Sequence, residues 1–173
     1  MSNNSTPPLV WLRAEGAEAA EARELVLSIF DATDAPKNIE EARRLPGSLR
    51  EAGGEFWVAR LQEIVVGTLG LRPCHAENAN IIEGNINTVE GNWRLCWWTV
   101  ATGNRGLGIG NWMLDNSLRW LKEKGAKSVS ALIELNNEPA IAALKSTGFK
   151  SSIDLRRLKK EEHATPISFV LHL

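Results

Sequence analysis

Arg105-Gly106-Leu107-Gly108-Ile109-Gly110 is the stretch of this sequence whose residue types and spacing best fit chemistry. It follows an aromatic, strand-like run, Trp93 to Val100, and opens an amphipathic stretch that ends at Gly125. Glycine costs a helix about 1 kcal/mol relative to alanine, so three alternating glycines weaken this helix where it begins. The first amides of a helix have no acceptor within it, and the macrodipole makes that end partly positive. Bare of Cβ atoms, such amides are open to a phosphate, and Arg105 adds a cation. The same glycines can instead serve a tight turn or close helix–sheet packing. Their alternation behind an arginine favours the anion site.

Two phosphate signatures begin here without completing. Gly103 and Gly108 have the first spacing of a P-loop, but Ile109 and Gly110 stand where its lysine and hydroxyl belong. Gly106 and Gly108 begin a G-x-G-x-x-G dinucleotide fingerprint, whose third position is Asn111. The preceding strand also lies past the middle of the chain, whereas that fingerprint sits early in a βαβ unit.

The elements that must position this loop follow from periodicity. Leu9 to Gly16 reads as a strand and Ala17 to Thr33 as a helix, with Ala22, Leu25, Val26, Ile29 and Phe30 at helical spacing. A weaker helix, Asn38 to Leu45, is stopped by Pro46-Gly47. Glu55 to Gln62 and Ile64 to Pro73 are strand formers with a short break, which predicts a hairpin. Cys74 to Asn92 is rich in Asn, Glu and Gly, a loop or irregular hairpin. After the Trp93 to Val100 strand, the helix has an apolar face of Ile109, Trp112, Met113, Trp120 and Leu121, widened by Leu114 and Leu118. Ser128 to Leu135 reads as a strand. Asn136 to Gly148 reads as a helix that Asn136 or Asn137 can cap, with Pro139 in its first turn. Two strands, Phe149 to Leu158 and Pro166 to Leu173, close the chain.

Composition bounds the function. At 173 residues, with 43% hydrophobic and 24% charged, the chain suits one globular domain, residues 9–173, behind a flexible tail over residues 1–8. A net charge of -1 argues against nucleic acid and anionic membranes as partners. The basic run Arg156 to Lys160 stands beside Glu161 and Glu162 and reads as solvated surface. No apolar run is long enough to cross a membrane and the N-terminus lacks a signal-peptide pattern, so the expected compartment is the cytoplasm. Cys74 and Cys96 lie far apart and His75, His163 and His172 do not cluster, so no metal site is expected and the thiols are expected to be reduced.

One pattern fits the loop without forcing. Arg105 to Gly110 reads R-x-x-G-x-G and resembles the acyl-CoA pyrophosphate loop of the GNAT superfamily of N-acetyltransferases. The approach to it is similar to the family's V-x-P-x-x-R-G-x-G, with Val100 and Arg105 in register and Thr102 replacing the proline. Downstream, Asn137, Ala140, Leu144, Gly148 and Phe149 resemble N-x-x-A-x-x-x-Y-x-x-x-G-F, except at the tyrosine. The element order resembles the family from about Leu9 to Leu173.

The resemblance implies an α/β fold: a mixed, mostly antiparallel central sheet flanked by helices, with two strands splayed at the acyl-CoA site. It implies acetyl-CoA as acyl donor, its pantetheine pairing with the backbone near Trp98, Thr99 and Val100. The pyrophosphate would lie on the amides of Arg105, Gly106, Leu107, Gly108, Ile109 and Gly110, with Asn137 hydrogen-bonding the cofactor. It implies direct attack of a primary amine on the thioester, with an amide near Trp98 to Val100 stabilising the oxyanion. The acceptor stays open among a small-molecule amine, an amino acid and a protein N-terminus, and family members often form homodimers. An alkyl amine has a pKa of about 10, so its proton needs an acceptor: Glu83, Glu90 and His75 are the candidates, with a water chain as their rival.

The chain has no tyrosine, and Leu144 stands where many members carry the proton donor to the leaving thiolate. Either another group donates, or the thiolate leaves unaided. That departure keeps a second reading open, an acyl-CoA-binding sensor with weak or no catalysis. A nucleotide-binding protein is a third reading, disfavoured by the missing P-loop lysine and third fingerprint glycine. Trp97 and Trp98 fall on opposite strand faces by alternation, so one of them can line an acceptor cleft.

Overall fold

Apolar runs bounded by turn formers build the sheet. The computed structural model describes residues 8–30, 36–74, 91–153 and 166–173. In chain order its elements are β1 (Val10–Arg13), α1 (Gly16–Phe30), α2 (Pro36–Arg43), α3 (Gly47–Glu51), β2 (Glu55–Leu61), β3 (Ile64–Pro73) and β4 (Asn92–Val100). There follow α4 (Ile109–Glu123), β5 (Ser128–Glu134), α5 (Glu138–Ser146), β6 (Lys150–Ser151) and β7 (Pro166–His172). The seven strands form one sheet in the order β1-β2-β3-β4-β5-β7-β6. Every neighbouring pair is antiparallel except β4 and β5, which run parallel. This is the expected α/β architecture.

Alternation along the strands gives the sheet two buried faces. On one face Met113, Leu114 and Leu121 of α4 and Leu144 of α5 pack with Leu69, Leu71, Leu95, Val129 and Phe169. On the other, Ala22 and Val26 of α1, Ala42 of α2 and Leu49 of α3 pack with Phe56 and Val58. A chain of tryptophans joins α4 to the sheet. Trp11 stacks on Trp57 with centroids 5.3 Å apart. Trp57 and Trp93 each meet Trp120 edge-on, and Trp11 meets Trp112 in the same way. These aromatics therefore hold the helix that begins at the glycine loop.

Two elements differ from those expected. Pro46-Gly47 does end α2, but the chain coils again at once into α3. Proline needs no acceptor for a missing N–H, so it is tolerated at a helix start, and Leu49 on this short helix is buried. The strand expected over residues 149–158 is a strand only at Lys150–Ser151 among the described residues. The tail over residues 1–7, residues 75–90 of the expected loop and the basic run at Arg156 to Lys160 lie outside the described residues.

Gly70 joins the second face to the site. A Cβ built there would lie 2.7 Å from Leu49 Cδ1 and 3.1 Å from both Cys96 O and Sγ. Packing of α3 against β3 and β4 thus requires glycine at this point. Gly70→Ala is expected to cost about 1–3 kcal/mol through overpacking, read as a lower urea midpoint at unchanged slope.

Candidate functional site

The register of β4 and β5 defines an opening. The two parallel strands pair from Asn92↔Ser128 to Leu95↔Ala131 and no further. Both continue: β4 runs on to Val100 against β3, and β5 runs on to Glu134 against β7. Beyond Leu95 and Ala131 their facing edges have parted, as the expected splay requires.

A bulge re-aims β4 where it leaves β5. Thr68 pairs with Thr99, but Gly70 pairs with Cys96, so Trp97 and Trp98 together oppose Leu69. Trp97 has a φ of 52°, in the left-handed region. Regular alternation from Trp93 would place Trp97 with Leu95 and Trp98 with Cys96. Instead Trp97 and Cys96 both pack towards α1–α3, and Trp98 and Val100 pack towards α4. Trp97 and Trp98 thus lie on opposite faces as expected, but each on the face opposite to the one that unbroken alternation assigns. No residue type in Trp93 to Val100 announces a bulge.

The backbone beyond the bulge divides its groups between two sides. Ala101 N donates to Val66 O on β3 at 2.9 Å. By alternation the backbone of Thr99 also faces β3, and that of Trp98 and Val100 faces the opening. The Thr99 hydroxyl lies 2.6 Å from that of Thr68, and Thr68 Oγ1 donates to Trp97 O at 2.8 Å. These bonds pin the bulge from the β3 side.

The glycine loop follows directly. Thr102–Asn104 makes one 3₁₀ turn, and α4 proper starts only at Ile109. Gly106 and Gly108 therefore precede the helix rather than weaken it. Each has a φ of 77°, and a Cβ on either would meet nothing within 4 Å. The conformation requires glycine, and the space in front of it is open. From Gly106 through Asn111, six consecutive amides donate to no acceptor among the described residues. Arg105 Nε donates to Val100 O at 3.2 Å, which holds its guanidinium beside the loop. Trp98 Nε1 donates to Gly110 O at 3.3 Å and ties the strand to the first turn of α4. Ile109 turns its side chain into the core, and Leu107 stays exposed. Free amides, a helix N-terminus and a cation beside open space fit a phosphate or pyrophosphate group.

The other expected residues divide between described and undescribed. Asn137 caps α5, its Oδ1 accepting from Ala140 N at 3.3 Å, and it is exposed. Leu144 is fully buried. His75, Glu83 and Glu90 lie outside the described residues. Among the described residues, no group of three or more His, Cys, Asp or Glu could hold a metal ion, and no helix is long and apolar enough to cross a membrane.

Residues 19–149 match the acetyltransferase (GNAT) family. The chain belongs to the GNAT family. No curated protein matches it. Among solved structures it is similar to a GNAT acetyltransferase of Staphylococcus aureus Mu50, at 18% identity over 96% of this chain and 99% of that one, with a TM-score of 0.72. It is similar to the ribosomal-protein-alanine N-acetyltransferase of Brucella melitensis, at 20% identity over 95% and 100% of the two chains, with a TM-score of 0.72. A second Brucella melitensis GNAT acetyltransferase, in complex with acetyl-CoA, is 21% identical over 96% of this chain and 88% of that one, with a TM-score of 0.67. At such identities these likenesses speak for the GNAT fold.

Two cysteines lie beside β4 of this GNAT domain, Cys96 where it leaves β5 and Cys74 across from Asn92. Burial pushes the Cys96 thiol up to about 12, against the pull of Arg72. Burial also raises Cys74, with Arg94 and Arg72 acting the other way. In the unfolded chain a thiol loses its proton at about 8.5. The unfolded state therefore binds fewer protons above that pH, and stability falls as pH rises from about 9 towards 12. At pH 8 iodoacetamide is expected to spare Cys96 in the folded protein and to label Cys74 more slowly than a free thiol. Both should react in urea, as peptide mass mapping would read. Rapid native labelling of Cys96 would contradict its burial.

Proposed function

We propose that the protein transfers an acetyl group from acetyl-CoA to a primary amine by direct attack within a ternary complex. The observation that carries this reading is the run of six amides, Gly106 to Asn111, with no acceptor among the described residues, set at the end of a strand that has parted from its parallel neighbour. The resident donor supplies an activated thioester. The amides from Arg105 to Gly110 and the Arg105 guanidinium hold its pyrophosphate. The backbone of Trp98 and Val100, on the open side of β4, pairs with its pantetheine. Thr99 acts through its bond to Thr68, which fixes that strand edge. Asn137 contacts the cofactor in addition to capping α5.

An amide at Trp98 or Val100 is also the donor for charge on the acyl oxygen. It is held by the sheet, so little reorganisation is needed when the charge develops. The amine must arrive neutral, and we assign its proton to Glu83, Glu90 or His75, or to water leading to bulk solvent. The acceptor is a small-molecule amine, an amino acid or a protein N-terminus. We place the protein in the cytoplasm, as a monomer or homodimer, with no nucleic-acid or membrane partner.

Leu144 favours a second reading, an acyl-CoA-binding sensor. It is fully buried where relatives by motif carry a tyrosine, so it offers no proton to a departing thiolate. Release of CoA thiol in the presence of an amine rejects that reading.

The test is thermal stability with acetyl-CoA, CoA, NAD and ATP at equal excess. A ligand at about 100 times its Kd adds about 2.7 kcal/mol, so acetyl-CoA and CoA alone are expected to raise the Tm. Arg105→Ala combined with Gly108→Glu should remove that rise in a folded protein, because the new carboxylate occupies the open space before the amides. An unchanged rise in the double variant would sink the loop assignment.

A further inference from the structure

On the sheet face away from α4, a cation stands without a counter-charge among the described residues. Arg94 on β4 lies directly opposite Arg72 on β3. Like charges across a strand pair repel. Arg72 is compensated, since its Nη1 lies 3.6 Å from Glu41 Oε1 on α2. Arg94 is not: no carboxylate or carbonyl among the described residues accepts from it, and its Nε is buried without a partner. A half-buried, unpaired guanidinium is costly to keep. A partner from outside this set of residues would relieve that cost.

The place of Arg94 says what that is. It pairs with Ser130 on β5, one step before the last paired residues, Leu95 and Ala131. At about 3.3 Å per residue, Arg94 lies about 7 Å along β4 from Cys96, the first residue of the opening. The surroundings are polar. The Cys74 thiol lies near the two guanidinium groups, and the Ser130 hydroxyl donates to Trp93 O at 3.4 Å. Ser168, which pairs with Leu132 and so shares this face, has a buried hydroxyl that also lacks a partner. Of the buried polar side-chain atoms left unpartnered among the described residues, two thus line one face at the mouth of the opening.

We propose that Arg94 receives a carboxylate carried by the amine acceptor, so that the acceptor is an amino acid or a close relative bearing both groups. This rests on the acetyl-transfer reading above and narrows its substrate class. The guanidinium fork matches a carboxylate in a bidentate pair. With Arg72 held by Glu41, one positive charge remains, which suits a singly charged carboxylate better than a phosphate dianion. The Ser168 hydroxyl, nearer the opening, is placed to meet a polar group of the same molecule.

The experiment measures thiol release from acetyl-CoA with the twenty common amino acids, their C-terminal amides, O-phosphoethanolamine and spermidine. Acetyl-CoA binding is followed separately by thermal shift. The best amino acid is expected to exceed its own amide at least tenfold in kcat/KM. Arg94→Gln should remove that preference by lowering the acid at least tenfold while leaving the amide within about twofold, and Arg94→Lys should restore part of it. The acetyl-CoA shift should be the same in all three proteins. A wild-type protein that binds acetyl-CoA but uses amides, spermidine or phosphoethanolamine as well as acids overturns the inference and leaves the donor reading standing. So does one that binds acetyl-CoA and uses no amino acid. Loss of Tm with all acceptors reduced alike in Arg94→Gln would make Arg94 structural. If that variant does not fold, the wild-type acid-to-amide ratio decides. Failure of wild-type protein to bind acetyl-CoA would instead remove the reading beneath it.

Discussion

The parting of β4 from β5 after Leu95 and Ala131 is the constraint on which the rest of the site depends. Two adjacent parallel strands gain hydrogen bonds by zipping together, and a buried amide left unpaired costs about 1–3 kcal/mol. The strands must therefore be held apart. Each is clamped on its outer side, β4 by β3 as far as Val100 and β5 by β7 as far as Glu134. The bulge at Trp97 turns β4 at the point of departure, and the Thr68–Thr99 hydroxyl pair fixes it there. The Trp98 indole then ties the freed strand to Gly110.

That geometry gives the opening two chemically different walls. On the α4 side, the amides from Gly106 to Asn111 and the Arg105 guanidinium offer positive potential to a phosphate. On the other side, past the cluster under α1–α3, the sheet turns polar and carries Arg94 beside Ser130. In the proposed reaction the donor enters from the first wall and the amine from the second. The bond changes then fall in the gap between the strands, where the backbone of Trp98 and Val100 supplies hydrogen-bond donors. In that reaction, separate entrances would let one small domain hold two substrates at once.

Most of this architecture was legible in the sequence because it rests on local patterns. Apolar runs located β2, β3, β4, β5 and β7, and helical spacing located α1, α4 and α5. The alternating glycines behind Arg105 marked the loop, and two of them, Gly106 and Gly108, take a positive φ with open space before them. The features that escaped depend on contacts between distant residues. The Trp97 bulge is set by pairing with β3, through Thr68 and Gly70, and β-branched or aromatic residues carry no signal for it. Helix α3 exists because Leu49 fills space beside Gly70, whereas Pro46-Gly47 reads locally as a stop. The exposure of Arg94 to Arg72 is a matter of register, which neither strand specifies alone.

Leu144 shows how packing and chemistry compete for one position. It is fully buried between α5 and the sheet, in the cluster that also holds Leu114 and Phe169. A leucine there adds to the core; removing such a side chain typically costs about 2–5 kcal/mol. In the proposed reaction a proton donor there would aid the leaving group, and general acid help is worth about 10²–10⁴ in rate. A free thiol has a pKa of about 8.5, so a thiolate leaves far more readily near neutral pH than an alkoxide does. The rate given up is thus smallest for a thioester donor. For an oxygen ester the same leucine would be a much heavier burden, which makes a buried leucine at this position chemically consistent with a donor that leaves through sulfur.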